Sequence, residues 1–150
     1  MEIVEARPQD AQALTDIAFA AKSHWGYPAE WVRSWERVLT VTPDYVLSHP
    51  TFMAVDDGQI VGFCALQFQS GEAGLDHMWV LPRMIGGGVG RALFARAEDH
   101  ARRSGSLLLK IVSDPNSEGF YHRMGATTTG REWAHMDGQE RYLPILEKPL

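Results

Sequence analysis

Cysteine is almost missing from this chain of 150 residues. There is one, Cys64, so no internal disulfide is expected, and the reading is of a reducing compartment, the cytoplasm. No apolar run approaches the length of a membrane span, so no helical crossing is expected. A basic excess is also absent: 14 Lys and Arg against 19 Asp and Glu leave a formal charge of −5, which argues against nonspecific nucleic-acid binding. The six histidines show no HxH or HExxH pairing, so no metal site is expected. The opening MEIVEARPQD lacks the basic-then-apolar layout of a secretion signal. Repeats, linkers and low-complexity tracts are lacking too. The length suits one domain, 1–150, with a real core.

What the chain does have is a glycine cluster. Residues 75–94 read LDHMWVLPRMIGGGVGRALF. A strand-like run, Leu75 to Leu81, stops at Pro82. Gly86, Gly87, Gly88 and Gly90 follow, and then an amphipathic helix with Val89, Leu93, Phe94 and Ala97 on its apolar side. Strand, glycine loop and helix together make a phosphate cradle, because glycine lets the backbone approach an anion and the first helical N–H groups point at it. Two nucleotide motifs fail. No Lys-Ser or Lys-Thr follows the glycines, which excludes a nucleoside-triphosphate loop. A dinucleotide fingerprint needs a third small residue where Arg91 or Leu93 stands. The net negative charge means that any phosphate site must be made locally.

The remaining pattern places this loop in a fold. Residues 2–7 alternate as a strand. Leu14, Ile17, Ala18 and Ala21 recur at helical spacing after Pro8. SHWGYP (23–28) breaks that helix, and a second is expected from Pro28 to Leu39, burying Trp31, Val32, Trp35, Val38 and Leu39, with Thr42-Pro43-Asp44 marking its end. The period then falls to two in 51–56 and 59–69 around Asp57-Gly58, a hairpin signal. Ser70-Gly71-Glu72 turns into the strand 73–81. The glycine-loop helix runs to about Ser104, 107–112 is a buried strand, and 115–124 is a short helix. Strands at 126–134 and 139–147 flank Asp137-Gly138. The order is β-α-α-β-β-β-α-β-α-β-β.

That order, with Val80-Leu81-Pro82, Gly88-Val89-Gly90 and Phe120-Tyr121-His122-Arg123-Met124-Gly125-Ala126 in succession, resembles the GNAT N-acetyltransferase superfamily over essentially the whole chain. The resemblance implies an α/β (α+β) three-layer fold: a central mixed, mostly antiparallel sheet of about seven strands flanked by about four helices. It also implies acetyl-CoA as co-substrate and direct transfer to an amine in a ternary complex. The chain departs from the family pattern at Ile85, where Gln or Arg is usual. It departs again at Asp114, where Asn is frequent; the nearest Asn is Asn116.

The implied site has three parts. Gly86, Gly87, Gly88, Val89, Gly90 and Arg91 would hold the pyrophosphate, chiefly through backbone amides, with Asn116 as a further cofactor contact. Met78, Trp79 and Val80 would run beside the pantetheine arm like a neighbouring strand, the Met78 N–H holding the thioester oxygen. Transfer needs a neutral amine, a stabilised oxyanion and a protonated leaving thiolate. Tyr121 matches the family's general acid. Asp76 and His77 are candidates for the base, with Asp76 on the face of Met78 and Val80 if the strand is regular, and His24 is a third. His24, Trp25, Tyr27 and Glu30, in the break between the first two helices, would line the pocket of the acceptor, expected to be a small-molecule amine. Trp31 and Trp35 read as one buried helix stripe. Three alternatives stand beside this reading: a non-catalytic acyl-CoA sensor, an acetyltransferase for protein N-termini or lysines, and an unrelated phosphate-binding domain. A homodimer is left open.

Overall fold

The computed structural model describes residues 1–136 and 139–150. Its strands are β1 (Glu2–Glu5), β2 (Thr51–Asp56), β3 (Gln59–Gln69), β4 (Glu72–Val80), β5 (Leu108–Val112), β6 (Thr127–Met136) and β7 (Gln139–Pro149). Its helices are α1 (Ala11–Ser23), α2 (Ala29–Ser34), α3 (Glu36–Leu39), α4 (Pro43–Ser48), α5 (Val89–Arg103) and α6 (Glu118–Arg123). All seven strands form one sheet in the order β1-β2-β3-β4-β5-β7-β6. Every neighbouring pair is antiparallel except β4 and β5, which run parallel. The expected mixed sheet is therefore present. The β2–β3 turn uses left-handed backbone at both Asp57 and Gly58 (φ 50° and 75°), as a tight hairpin turn requires. The Asp137-Gly138 turn lies outside the described residues.

The helix count exceeds the expected four, for two local reasons. The helix expected over 28–39 breaks at Trp35 (φ −91°, ψ 5°) into α2 and α3. The break shifts the helical phase, so Val38, expected in the core, is 69% exposed while Val32 and Leu39 are buried. The second reason is Thr42-Pro43-Asp44, which opens a helix rather than closing one. The Thr42 side chain accepts the Tyr45 N–H, and Pro43 takes the first helical position, where a missing N–H costs nothing.

The helices cover the two faces of the sheet. On one face α5 and α6 bury Val89, Leu93, Phe94, Ala97 and Tyr121 against Phe52, Cys64, Leu66, Leu75, Leu109 and Ile111. On the other, α1 to α4 bury Leu14, Ile17, Ala18, Val32, Leu39 and Val46 against Met53 and Phe63. Fully burying a residue such as Leu93 or Phe94 contributes roughly 2–3 kcal/mol, so each face is closed by its own apolar layer.

Two irregularities in β4 shape the centre of the molecule. β4 and β5 pair only at Ala73–Leu109, Gly74–Lys110 and Leu75–Ile111. Beyond Leu75 the β5-facing edge of β4 is open. At the same point the β3–β4 register slips, since Ala65 pairs with His77 and Leu66 with Leu75, which leaves Asp76 as the extra residue of a bulge.

Candidate active site

The glycine loop enters α5 through Gly88, whose left-handed backbone (φ 87°) caps the helix; Gly86 (φ 86°) shares that conformation. Among the described residues, the N–H groups of Gly86, Gly88, Val89, Gly90 and Arg91 donate to no protein acceptor. The Gly87 N–H is already spent on Met84 O at 3.1 Å. Of the six loop residues expected to hold a pyrophosphate, five thus keep an uncommitted main-chain N–H and Gly87 does not. Gly90 packs directly on α6, where a Cβ would stand 3.1 Å from the Phe120 ring. Ile85 is exposed and adds no polar group, and the Arg91 side chain is exposed as well.

The open edge of β4 begins where this loop ends. Leu81 N–H bonds Val61 O at 2.9 Å on the β3 side. By antiparallel alternation, Trp79 also turns its main-chain groups to β3, and those of Met78 and Val80 face the open edge. The Met78 and Val80 side chains pack with the α5 cluster and Trp79 with the α1 cluster.

Tyr121 sits against Phe120 and Phe94, with ring centroids 5.1 and 6.1 Å away. Burial first, then the nearby Cys64 and Asp114, push its phenol well above the usual value, so it stays protonated. No described group hydrogen-bonds its hydroxyl. The hydroxyl is also not sealed from solvent, since no fully buried side-chain polar atom lacks a partner among the described residues.

The bulge changes the expected placement of Asp76 and His77. A regular strand would set Asp76 on the face of Met78 and Val80. Instead the Asp76 carboxylate accepts the Tyr45 hydroxyl from α4, on the opposite side of the sheet. The same Tyr45 ring meets His77 edge-on at 5.3 Å and stacks on His49 at 4.0 Å. Both neighbours reach one ring because the bulge removes the alternation between them. Trp79 Nε1 donates to His77 Nδ1 at 3.0 Å, which occupies the basic nitrogen of the neutral ring and leaves its proton on Nε2. Burial holds His77 below the usual histidine value, with Asp76 opposing. Asp76 is exposed and borders a cleft of about 440 Å³ lined also by Gln67, Gly74, Lys110 and Val112.

On the acceptor side the four expected residues separate. His24 and Trp25 are exposed and touch edge to face at 5.0 Å. Glu30 is exposed. Tyr27 turns inward, and its hydroxyl is fully used: it donates to Asp114 Oδ2 (2.9 Å) and accepts from Asn116 Nδ2 and Arg141 Nη2 (both 3.1 Å). Asn116 is thereby held within the protein, bonding Asp114 Oδ1 as well (2.9 Å). Lys22 Nζ completes the group at 2.6 Å from Asp114 Oδ2 and 4.4 Å from the Trp35 ring. Burial pulls the Lys22 amine down against the pull of Asp114; Lys22 in turn holds the Asp114 carboxyl below its usual value despite desolvation. Trp31 and Trp35, expected as a buried stripe, are only half-buried, and their rings wall this polar cluster (Tyr27–Trp31 6.0 Å, Tyr27–Trp35 5.2 Å). Sequence reasoning singled out neither Lys22, Arg141 nor Tyr45. Only the last had a local signal, the Thr-Pro helix start one turn before it.

Residues 12–126 match the model of the acetyltransferase (GNAT) family, and the chain belongs to that family. Among solved structures it is similar to a GCN5-related N-acetyltransferase from Rhodopseudomonas palustris (TM-score 0.82, 21% identity, 99% of this chain and 95% of that one). It is also similar to the PaiA N-acetyltransferase of Thermoplasma acidophilum in complex with coenzyme A (0.75, 22%, 99% and 98%). A third is the ribosomal-protein-alanine N-acetyltransferase of Brucella melitensis (0.75, 20%, 100% and 100%). At these identities the shared property is the fold. A search of curated protein sequences found no match.

Proposed function

We propose that this protein transfers an acetyl group from acetyl-CoA to the primary amine of a small molecule, in the cytoplasm, by direct transfer within a ternary complex. The observation that carries the reading is the open edge of β4, which begins at the free amides of the glycine loop and runs from Val80 back to the bulge at Asp76. The loop amides neutralise a pyrophosphate. The Met78 and Val80 main chain pairs with the amide groups of the pantetheine arm as a strand would, and the Met78 N–H stabilises the thioester oxygen as it gains charge. Tyr121, protonated and unspent, donates to the departing sulfur. Asp76 draws the proton from the incoming amine, directly or through one water. His77, its Nδ1 occupied by Trp79, shapes the bulge instead.

The half-buried aromatic walls of Tyr27, Trp31 and Trp35 favour a small acceptor. The similarity to a ribosomal-protein-alanine acetyltransferase makes a protein N-terminus the second reading. One experiment separates them: thermal shift with acetyl-CoA, followed by thiol release across polyamines, amino acids, aminoglycosides and peptides with free N-termini. Stabilisation and release with a small amine support the proposal. Release with peptides alone moves the acceptor to the second reading, and stabilisation without release to any amine makes the protein a sensor.

A further inference from the structure

The polar cluster behind Tyr27 holds two cations around one carboxylate, and that carboxylate is full. Asp114 Oδ2 accepts Lys22 Nζ (2.6 Å) and Tyr27 Oη (2.9 Å). Its Oδ1 accepts the Asn116 main-chain N–H (2.8 Å) and Asn116 Nδ2 (2.9 Å). Arg141 is left 4.0 Å from Asp114, outside hydrogen-bond range. Among the described residues, its guanidinium makes one hydrogen bond, from Nη2 to the Tyr27 hydroxyl. Its side chain is only 16% exposed, and it is fixed over two rings, 5.1 Å from Tyr27 and 5.4 Å from Trp35. A guanidinium carries five N–H donors in a planar fork. No fully buried side-chain polar atom lacks a partner among the described residues, so the unpartnered Nε and Nη1 reach solvent. The result is a preorganised, largely desolvated cation that shares one carboxylate with Lys22 and stands 4.0 Å from it, in a chain whose overall charge is −5.

This cation lies on the same sheet face as the cleft at Asp76. Lys110 and Val112 line that cleft. Val112 pairs with Ile145 on β7, and two-residue periodicity carries the face along β7 from Ile145 through Leu143 to Arg141. Asp114 follows Val112 by two residues, so the cluster adjoins the Val112 end of the cleft, which is itself lined from Asp76 back to Glu72 and Ser70.

We propose that Arg141 anchors a carboxylate of the acceptor, which makes the acceptor an amino acid or a related amine carrying an acidic group. The assignment rests on the acetyltransferase reading above and names its substrate class. The planar fork matches a carboxylate through two parallel hydrogen bonds. Lys22, one residue layer behind on Asp114, adds attraction. Tyr27, Trp31 and Trp35 wall the acceptor's apolar body. Polyamines and aminoglycosides meet like charge here and are disfavoured.

The test uses matched pairs: phenylalanine against phenethylamine, and 6-aminohexanoate against hexylamine, so that short and long amine-to-acid spacings are both covered. Thiol release from acetyl-CoA is measured for the wild-type protein, Arg141→Gln and Arg141→Lys, with thermal shift by CoA as the check on folding. In at least one pair the acid is expected to exceed its partner in kcat/KM by about 100-fold, the loss typical when a charged recognition group goes unpaired. Arg141→Gln is expected to erase that preference by raising the KM of the acid while leaving the KM of acetyl-CoA unchanged, and Arg141→Lys to restore part of it. Equal or better use of the amines lacking an acid overturns the proposal, as does an unchanged KM in Arg141→Gln. Calorimetric titration of the CoA-saturated protein with the same four compounds decides the anchor independently of turnover. Binding of an acid that is lost in Arg141→Gln supports it, and no binding of either acid overturns it. If CoA fails to bind, or every amine fails to release thiol, the acetyltransferase reading fails instead, and the titration still reads the anchor.

Discussion

The Tyr45 hydroxyl donates to the Asp76 carboxylate, joining α4 to the bulged residue of β4. The bond holds the proposed base at the mouth of the cleft and leaves its second oxygen for the acceptor. Asp76→Asn is expected to lower kcat/KM by at least about 100-fold, the scale of lost general-base assistance, with acetyl-CoA affinity unchanged. Tyr45→Phe removes only the orienting bond and is expected to cost about tenfold, equivalent to one hydrogen bond to a charged group. Steady-state kinetics on both variants checks this. If Tyr45→Phe loses as much as Asp76→Asn, the phenol itself takes part in the reaction.

His77 gives a pH signature in stability rather than in rate. Its folded form is held below the ordinary value of 6.5 by burial, so below pH 6.5 the unfolded chain binds a proton that the folded chain refuses. Stability contributed by the neutral ring is complete above 6.5 and is lost as pH falls from there toward the folded value. The slope is at most about 1.4 kcal/mol per pH unit. Urea melts between pH 7.5 and 5.5 should show the decline. His77→Phe should flatten it in this window, where the ordinary carboxylates have not yet titrated. An unchanged slope in the variant would place the titrating group elsewhere.

Tyr121→Phe separates chemistry from binding. Among the described residues the phenol has no hydrogen-bond partner, so its removal strands none of them, and the ring contacts with Phe94 and Phe120 remain. Turnover is expected to fall by roughly 10²–10⁴ as acid assistance to the departing thiol is lost, while the Kd of CoA and the melting temperature stay near wild type. An unchanged kcat would remove Tyr121 from the acid role.

The sheet, the glycine loop and the Tyr121 helix were legible in sequence because each is written locally. Strands alternate with period two, Gly86 to Gly90 sit between a strand and an amphipathic helix, and Phe120-Tyr121 lies within one helical turn. The acceptor cluster is not written that way. Lys22, Tyr27, Trp35, Asp114 and Arg141 come together from distant parts of the chain, the Tyr27–Arg141 bond alone spanning 114 residues, and no short window contains the pattern. The failure on the 28–39 helix is physical as well. One non-helical residue, Trp35, resets the phase, so a periodicity read straight through buries Val38 wrongly. Asp114 did register, as a departure from the family's Asn, but its partners were out of view.

Gly88 and Gly90 should fail differently when replaced by valine. At Gly88 the left-handed φ opposes a β-branched residue by roughly 1–3 kcal/mol, although nothing crowds its Cβ position. The helix cap distorts and the amide nest opens. At Gly90 the backbone is helical but the added side chain meets Phe120 at 3.1 Å, so α6 shifts and Tyr121 with it. Both variants are expected to lose CoA affinity by at least about tenfold. Only Gly90→Val should also lower kcat at saturating acetyl-CoA. Calorimetry with CoA and saturation kinetics make the comparison. Equal kcat losses would mean that the loop and α6 move together.

Lys22 tests whether the cluster is held together by charge or by shape. Lys22 and Asp114 side chains are 11% and 8% exposed, so removing one partner leaves a poorly solvated charge. Lys22→Met keeps the stem packed on Trp35 and Tyr27 but strands the Asp114 carboxylate, at a cost of roughly 3 kcal/mol. Tyr27, Asn116 and Arg141 remain to stabilise that carboxylate, and the Arg141 guanidinium can move in from 4.0 Å. If it does, the guanidinium that faces the acceptor is drawn away, and acceptor KM rises although Lys22 is not required to touch the acceptor. The double variant Lys22→Met with Asp114→Leu removes both charges and should recover most of the lost stability, since an apolar pair avoids the desolvation cost. It should also return Arg141 to its place over Tyr27 and Trp35 and lower the acceptor KM again. Denaturation melts and KM values across the single and double variants form the cycle. Recovery of stability without recovery of KM would show that Lys22 binds the acceptor directly.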